Sequence, residues 1–127
     1  MDPMSPPDPA EALGPEDQKL VSLARSARAR IGAARAGAVR DDTGRSYVGA
    51  DVHLPSLTIS GLDLAVAQAV AAGATGLEAA VVVGDVAAAD PDGDAPIGVG
   101  AVGDVGPQGV PIFLTDRAGA VVRVLTA

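Results

Sequence analysis

Leu62, Ala65, Val66, Ala69 and Val70 fall on a helical repeat between Ser60 and Gly73. The stretch has no cluster of β-branched residues, and Gly73 suits the position just past a helix end. Ser60, with Asp63 three residues on, supplies a box-like N-cap for the free N–H groups. Only Asp63 and Gln68 interrupt the apolar interior. The pattern therefore predicts a central helix buried on most of its faces.

The same reading places the other elements. Pro15 suits a first helical turn, and Leu20, Leu23, Ala24, Ala27 and Ile31 make a stripe that ends near Gly32. Arg25, Arg28 and Arg35 lie near one another on the other side; they could hold phosphate or an acidic partner, but a solvated face is the simpler account. The period then changes. Strands are predicted over 36–40 and 45–52, joined by a turn at Asp41-Asp42-Thr43-Gly44. His53-Leu54-Pro55-Ser56 leads into the central helix. Beyond it, residues 77–83 read as a strand buried on both faces. Val86 to Ala95 reads as a surface loop, and the glycines of 96–106 predict an irregular segment or at most one short turn. Strands over 110–115 and 120–125 close the chain, with Pro111 marking an edge strand or a strand's first residue.

Composition narrows the picture. The 127 residues fit one domain, expected over 15–127, behind a Pro-rich, acidic and disordered tail over 1–14. Translation could begin at Met1 or Met4. Tyr47 and Phe113 are the only aromatic residues, so the core must be built from Ala, Val, Leu and Ile. The Ala and Arg bias fits the coding background of a high-GC bacterium. A net charge of −7 argues against a nucleic-acid partner. The absence of cysteine excludes disulfides and thiolate chemistry. No signal peptide or membrane-spanning run is evident, and a soluble cytoplasmic protein is expected.

Three motif matches carry little. Gly98-Val99-Gly100-Ala101-Val102-Gly103 fits the dinucleotide fingerprint, but no strand precedes it, Gly106-Pro107 breaks a following helix, and too little chain remains for a βαβ unit. Asp90, Asp92 and Asp94 alternate like a calcium loop, yet the glycine stands at the fourth position and Ala101 at the twelfth. His53 is the only histidine; Asp51, two residues before it, is expected on the same strand face. A general base or weak metal ligand there would lack a supporting ligand cluster.

Two stretches carry a resemblance to a known family. Thr43-Gly44-Arg45-Ser46-Tyr47-Val48-Gly49-Ala50-Asp51-Val52 is similar to the "DGR-x-Y-x-G-x-N-V" hairpin of the small zinc-dependent cytidine deaminases. Leu57-Thr58-Ile59-Ser60, running into Ala65 to Gly73, resembles that family's "L-T-V-C-A-E-R-x-A" helix. The likeness extends from about Leu20 to Val124. It implies an α/β, three-layer α-β-α fold with a mixed five-stranded sheet flanked by helices.

The resemblance also implies where chemistry would have been. The family's C-A-E, a zinc ligand followed by the proton shuttle, corresponds to Ser60-Gly61-Leu62. Its P-C-x-x-C, which supplies two further ligands, corresponds to Pro96-Ile97-Gly98-Val99-Gly100. The ribose-holding N-x-E pair corresponds to Asp51 and His53. Hydrolytic deamination needs zinc to acidify a water and a carboxylate to move its proton. The former ligand positions Ser60, Ile97 and Gly100 and the former shuttle Leu62 do not supply those groups. The expectation is a non-catalytic deaminase-like protein without a metal or other cofactor, acting as a homo-oligomer (dimer or tetramer) or with a protein partner. The alternative is a nucleoside or small-molecule binding module using a remnant pocket at Asp51, His53, Ser60 and Asp63. An active deaminase is the least favoured reading.

Overall fold

A computed structural model of the chain describes residues 13–85, 98–106 and 109–127. Residues 1–12 of the tail expected over 1–14, the loop carrying Asp90, Asp92 and Asp94, and Pro96 and Ile97 lie outside the described residues.

Helix α1 (Pro15–Ile31) begins with Pro15 where the missing N–H costs nothing, and Glu16 and Asp17 stand at its positive end. Gly14 is its N-cap, and Leu13 packs beside the core. Gly32 stops the helix in the left-handed conformation at φ 64°. Its buried face is Leu20, Val21 and Ala24. Leu23 and Ile31, expected on that stripe, are 41% and 62% exposed. Leu23 lies at the margin of the stripe, and Ile31 falls in the last turn.

β1 (Arg35–Asp41) and β2 (Ser46–Ala50) form an antiparallel pair. The chain then makes a small hairpin, β3 (Val52–Leu54) with β4 (Leu57–Ile59), before entering α2 (Gly61–Ala71). β5 (Leu77–Gly84), α3 (Val99–Val105), β6 (Pro111–Thr115) and β7 (Val121–Thr126) follow. The five-stranded sheet has the order β2-β1-β5-β6-β7, antiparallel except for the β5–β6 pair. Pro111 is the first residue of β6, which lies inside the sheet, so the strand-start reading holds and the edge reading does not.

β5 is buried on both faces as its apolar run requires. Ala79, Val81 and Val83 meet α1, with Ala36, Ala38 and Phe113; Ala80 and Val82 join Val39, Ile112 and Leu114 under α2 and α3. The sheet is thus the middle layer of an α-β-α sandwich.

Other expectations need correction. The lead-in at 53–56 is part of the β3–β4 hairpin, which a two-residue turn permits. Residues 99–105 form a helix despite Gly100 and Gly103, because Val102 is fully buried and Ala101 and Val105 pack on the core. Tertiary packing outweighs about 1 kcal/mol of propensity lost at each glycine.

Helix α2 is buried on one face rather than on most. Leu62, Ala65, Val66 and Ala69 face the sheet, whereas Ala67, Gln68, Val70 and Ala71 are exposed. Its first turn lies unusually close to the sheet, because the facing residues lack side chains. Gly37 and Gly49 are directly paired across β1 and β2. A Cβ on Gly37 would fall 2.5 Å from Leu62 Cα and 2.6 Å from its nitrogen, and one on Gly61 would fall 2.5 Å from the Gly49 carbonyl oxygen.

At the far end of the sheet, Asp41 ties the β1–β2 turn. Its Oδ1 accepts from the Thr43 hydroxyl at 2.7 Å and from the Thr43 and Arg45 N–H groups at 2.9 and 3.0 Å. Its Oδ2 accepts from the Tyr47 hydroxyl at 3.0 Å. The Thr43 hydroxyl bond first, then the backbone N–H groups and Tyr47, hold the Asp41 carboxyl down to about 2 against the opposing effect of burial.

Gly37→Ala is expected to destabilise the fold by about 1–3 kcal/mol, since backbone atoms at 2.5 Å cannot yield. Gly100→Ala, with nothing within 4 Å of the added carbon, is expected to stabilise it by about 0.5–1 kcal/mol. Urea unfolding of both variants checks the pair. A depressed carboxyl stabilises the native state above its unfolded pKa, and that contribution is lost as pH falls through the folded value. The melting temperature should therefore fall between about pH 4 and the Asp41 value of about 2, and Asp41→Asn should flatten that part of the curve.

Candidate functional site

A helix start leaves N–H groups without partners, and the first turn of α2 disposes of two of them through side chains. Ser60 is the N-cap, in extended conformation, and its hydroxyl oxygen accepts from the Asp63 N–H at 3.0 Å. Asp51 reaches from the end of β2, and its Oδ1 accepts from the Gly61 N–H at 2.7 Å. The hydroxyl half of the expected box forms, and Asp51 takes the N–H of Gly61. Asp63 adds a negative charge to the first turn, where the dipole favours it.

Asp51 is in turn held from the other side. Arg35 Nε lies 3.5 Å from Asp51 Oδ2, with the two side chains 20% and 7% exposed. The backbone joins the same residues, since the Asp51 N–H donates to the Arg35 carbonyl at 3.0 Å. A carboxylate in that position carries a structural charge balance: guanidinium on one side, the positive end of α2 on the other. Arg35 belongs to β1, because α1 ends at Gly32; it does not continue the arginine stripe of the helix.

Leu62, the next residue inward, is 2% exposed. It packs between Gly37 and Gly98, and a Cβ on Gly98 would fall 2.7 Å from Leu62 Cβ and Cγ. Gly98 has φ 102°, a conformation that favours glycine, immediately before α3. The space between the starts of α2 and α3 is occupied by an aliphatic side chain.

The four residues expected to share a pocket are only partly brought together. Asp51, Ser60 and Asp63 meet at the first turn of α2. His53 is exposed on β3, opposite Thr58, and the same-face expectation fails because the chain leaves the main sheet between β2 and β3. Gly100 sits in α3, with open space around its missing side chain. Among the described residues, no three His, Asp or Glu side chains group as a metal-binding set. Among the described residues, cavities lie along α1 and beside the β1–β2 turn. Sequence reasoning missed the pairing of Arg35 with Asp51 and the seating of Leu62 and Gly61 by Gly37, Gly49 and Gly98; the Gly49 of the hairpin motif was the available signal.

Removing either acceptor should register as lost stability. Ser60→Ala is expected to cost about 1 kcal/mol, and Asp51→Ala about 1–3 kcal/mol because it strands the Gly61 N–H and the Arg35 guanidinium together. Denaturant midpoints measure both.

Comparison with known proteins places this geometry. Residues 13–119 match the family profile described as cytidine deaminase-like. Among solved structures, the cytidine deaminase of Burkholderia pseudomallei is similar at 25% identity with a TM-score of 0.64, over 86% of this chain and 91% of that one. The cytidine deaminase of Mycobacterium leprae is similar in fold at 21% identity with a TM-score of 0.57, over the same shares of 86% and 91%. No curated protein matches the chain.

Proposed function

Because the chain belongs to the cytidine deaminase-like family, we propose that it is a non-catalytic member, a cytoplasmic protein that acts as an oligomeric interaction or scaffold protein. The observation that carries this reading is Leu62. It stands where the resemblance puts the proton-shuttling carboxylate, and it is buried against Gly98. An aliphatic side chain moves no proton.

The residues at the implied zinc positions do not fit the metal. Zinc takes thiolate, imidazole or carboxylate ligands. The Ser60 hydroxyl is committed to capping α2, Ile97 has an aliphatic side chain, and Gly100 has no side chain. Asp51, at the position implied for ribose contact, spends its carboxylate on Gly61 and Arg35. His53 is exposed on the β3–β4 hairpin, paired opposite Thr58. A nucleoside-binding role therefore has less support than an interaction role.

Support for assembly comes from apolar surface. Val70 is 49% exposed on the outer face of α2, beside exposed Ala67 and Ala71. Leu54 and Leu57, paired across the β3–β4 hairpin, are also exposed. No helix among the described residues is long and apolar enough to cross a membrane. Apolar residues concentrated on a helix face and a hairpin suit contact with another protein surface, including a second copy.

Light scattering of the purified protein should give a mass above that of one chain, and Val70→Asp with Leu57→Asp should reduce it to a monomer. Cytidine turnover should be absent and zinc substoichiometric. A nucleoside panel should leave the melting temperature unchanged. A monomeric wild type would overturn the assembly reading; stoichiometric zinc or deamination would overturn the non-catalytic one; a nucleoside-dependent shift would establish the binding-module alternative.

A further inference from the structure

In a chain of net charge −7, three arginines share one groove. The groove has a volume of about 380 Å³ and is lined by Ser22, Arg25, Ser26, Arg28, Ala29 and Arg117. The first five come from α1 at spacings that share a helix face, and Arg117 comes from the β6–β7 turn. It lies along α1, on the sheet face opposite α2, and is separate from the first turn of α2.

The turn that delivers Arg117 is built to stay in place. Asp116 Oδ1 accepts from the Ala118 and Ala120 N–H groups at 3.0 and 2.9 Å. Gly119, at φ +90°, lets the turn press on α1: a Cβ there would fall 2.9 Å from Arg25 Cδ and from Val21 Cγ1. The Arg117 guanidinium is oriented by a two-pronged contact with Asp85, Nε to Oδ1 at 3.1 Å and Nη2 to Oδ2 at 3.0 Å. A guanidinium has more N–H groups than one carboxylate takes up, so Arg117 retains donors.

Of the other two arginines, Arg25 is exposed to solvent and Arg28 has unmet demand. Arg28 Nε is buried with no hydrogen-bond partner among the described residues. Such a group is costly unless an acceptor reaches it. No carboxylate lines the groove among the described residues; Asp85 is paired with Arg117 beside it and also feels the charge of Arg28. Guanidinium forks and serine hydroxyls around one space match a tetrahedral oxyanion, whose several oxygens accept from more than one arginine.

We propose that this groove binds the phosphoryl group of a small phosphorylated ligand. The volume is within the range of small-molecule sites, roughly 300–1,000 Å³, and leaves room for more than a lone phosphate. The overall negative charge disfavours a long polyanion such as nucleic acid, whereas a small anion samples only the local field. The arginine stripe that sequence alone assigns to solvent becomes a site once the β6–β7 turn adds Arg117.

The test uses the full chain and inorganic pyrophosphate as probe, followed by amide NMR shifts at constant ionic strength. Saturable shifts are expected at residues 22–29 and 116–118. Arg25→Gln combined with Arg28→Gln should weaken the affinity about tenfold or more, and Arg117→Gln, at an exposed turn, should weaken it with the fold intact. Shifts reproduced by sodium chloride, shifts centred elsewhere, or an affinity unchanged in both variants would overturn the assignment.

Discussion

The contact on which the rest of the structure depends is backbone against backbone, where the first turn of α2 sits on Gly37 and Gly49. Glycine at both paired positions, and again at Gly61, allows an approach that any Cβ would prevent. The core has almost no aromatic bulk to fill a wider gap. Close approach lets small residues such as Ala65 and Ala69 reach the sheet and bury fully. Leu62 is driven by the same approach into the space beside Gly98. The burial of Leu62 and the tight helix seat are therefore one feature.

That seat explains the local electrostatics. A helix start pressed against a sheet is shielded from water, so its N–H groups need protein acceptors. Ser60 and Asp51 provide them, and Arg35 balances the charge that Asp51 brings. Polar groups that resemble remnants of a binding site are accounted for by the helix they hold.

What could be read from the sequence follows from how local each signal is. The Pro15 start and Gly32 stop of α1, the Ser60 cap of α2, the apolar run of β5 and the turn at Asp41–Gly44 are written in neighbouring residues and appear as expected. The β3–β4 hairpin escaped notice because its strands are three residues long and expose Leu54 and Leu57, leaving no amphipathic alternation to detect. Helix α3 contradicts its own propensities and exists because Val102 finds the core. At the site, Ser60 as a cap was legible from Asp63 three positions on. The Asp51–Arg35 pair and the Leu62–Gly98 contact join separate elements, and no local pattern announces them.

The Asp41 knot has an optical consequence. The chain has one tyrosine and no tryptophan, and the hydroxyl of that tyrosine, Tyr47, donates to the Asp41 carboxylate. Its near-ultraviolet absorption and emission are therefore dominated by a single reporter fixed at the β1–β2 turn, with Phe113 the only phenylalanine. Unfolding followed by tyrosine emission reads the environment of that one turn, at the end of the sheet away from the start of α2.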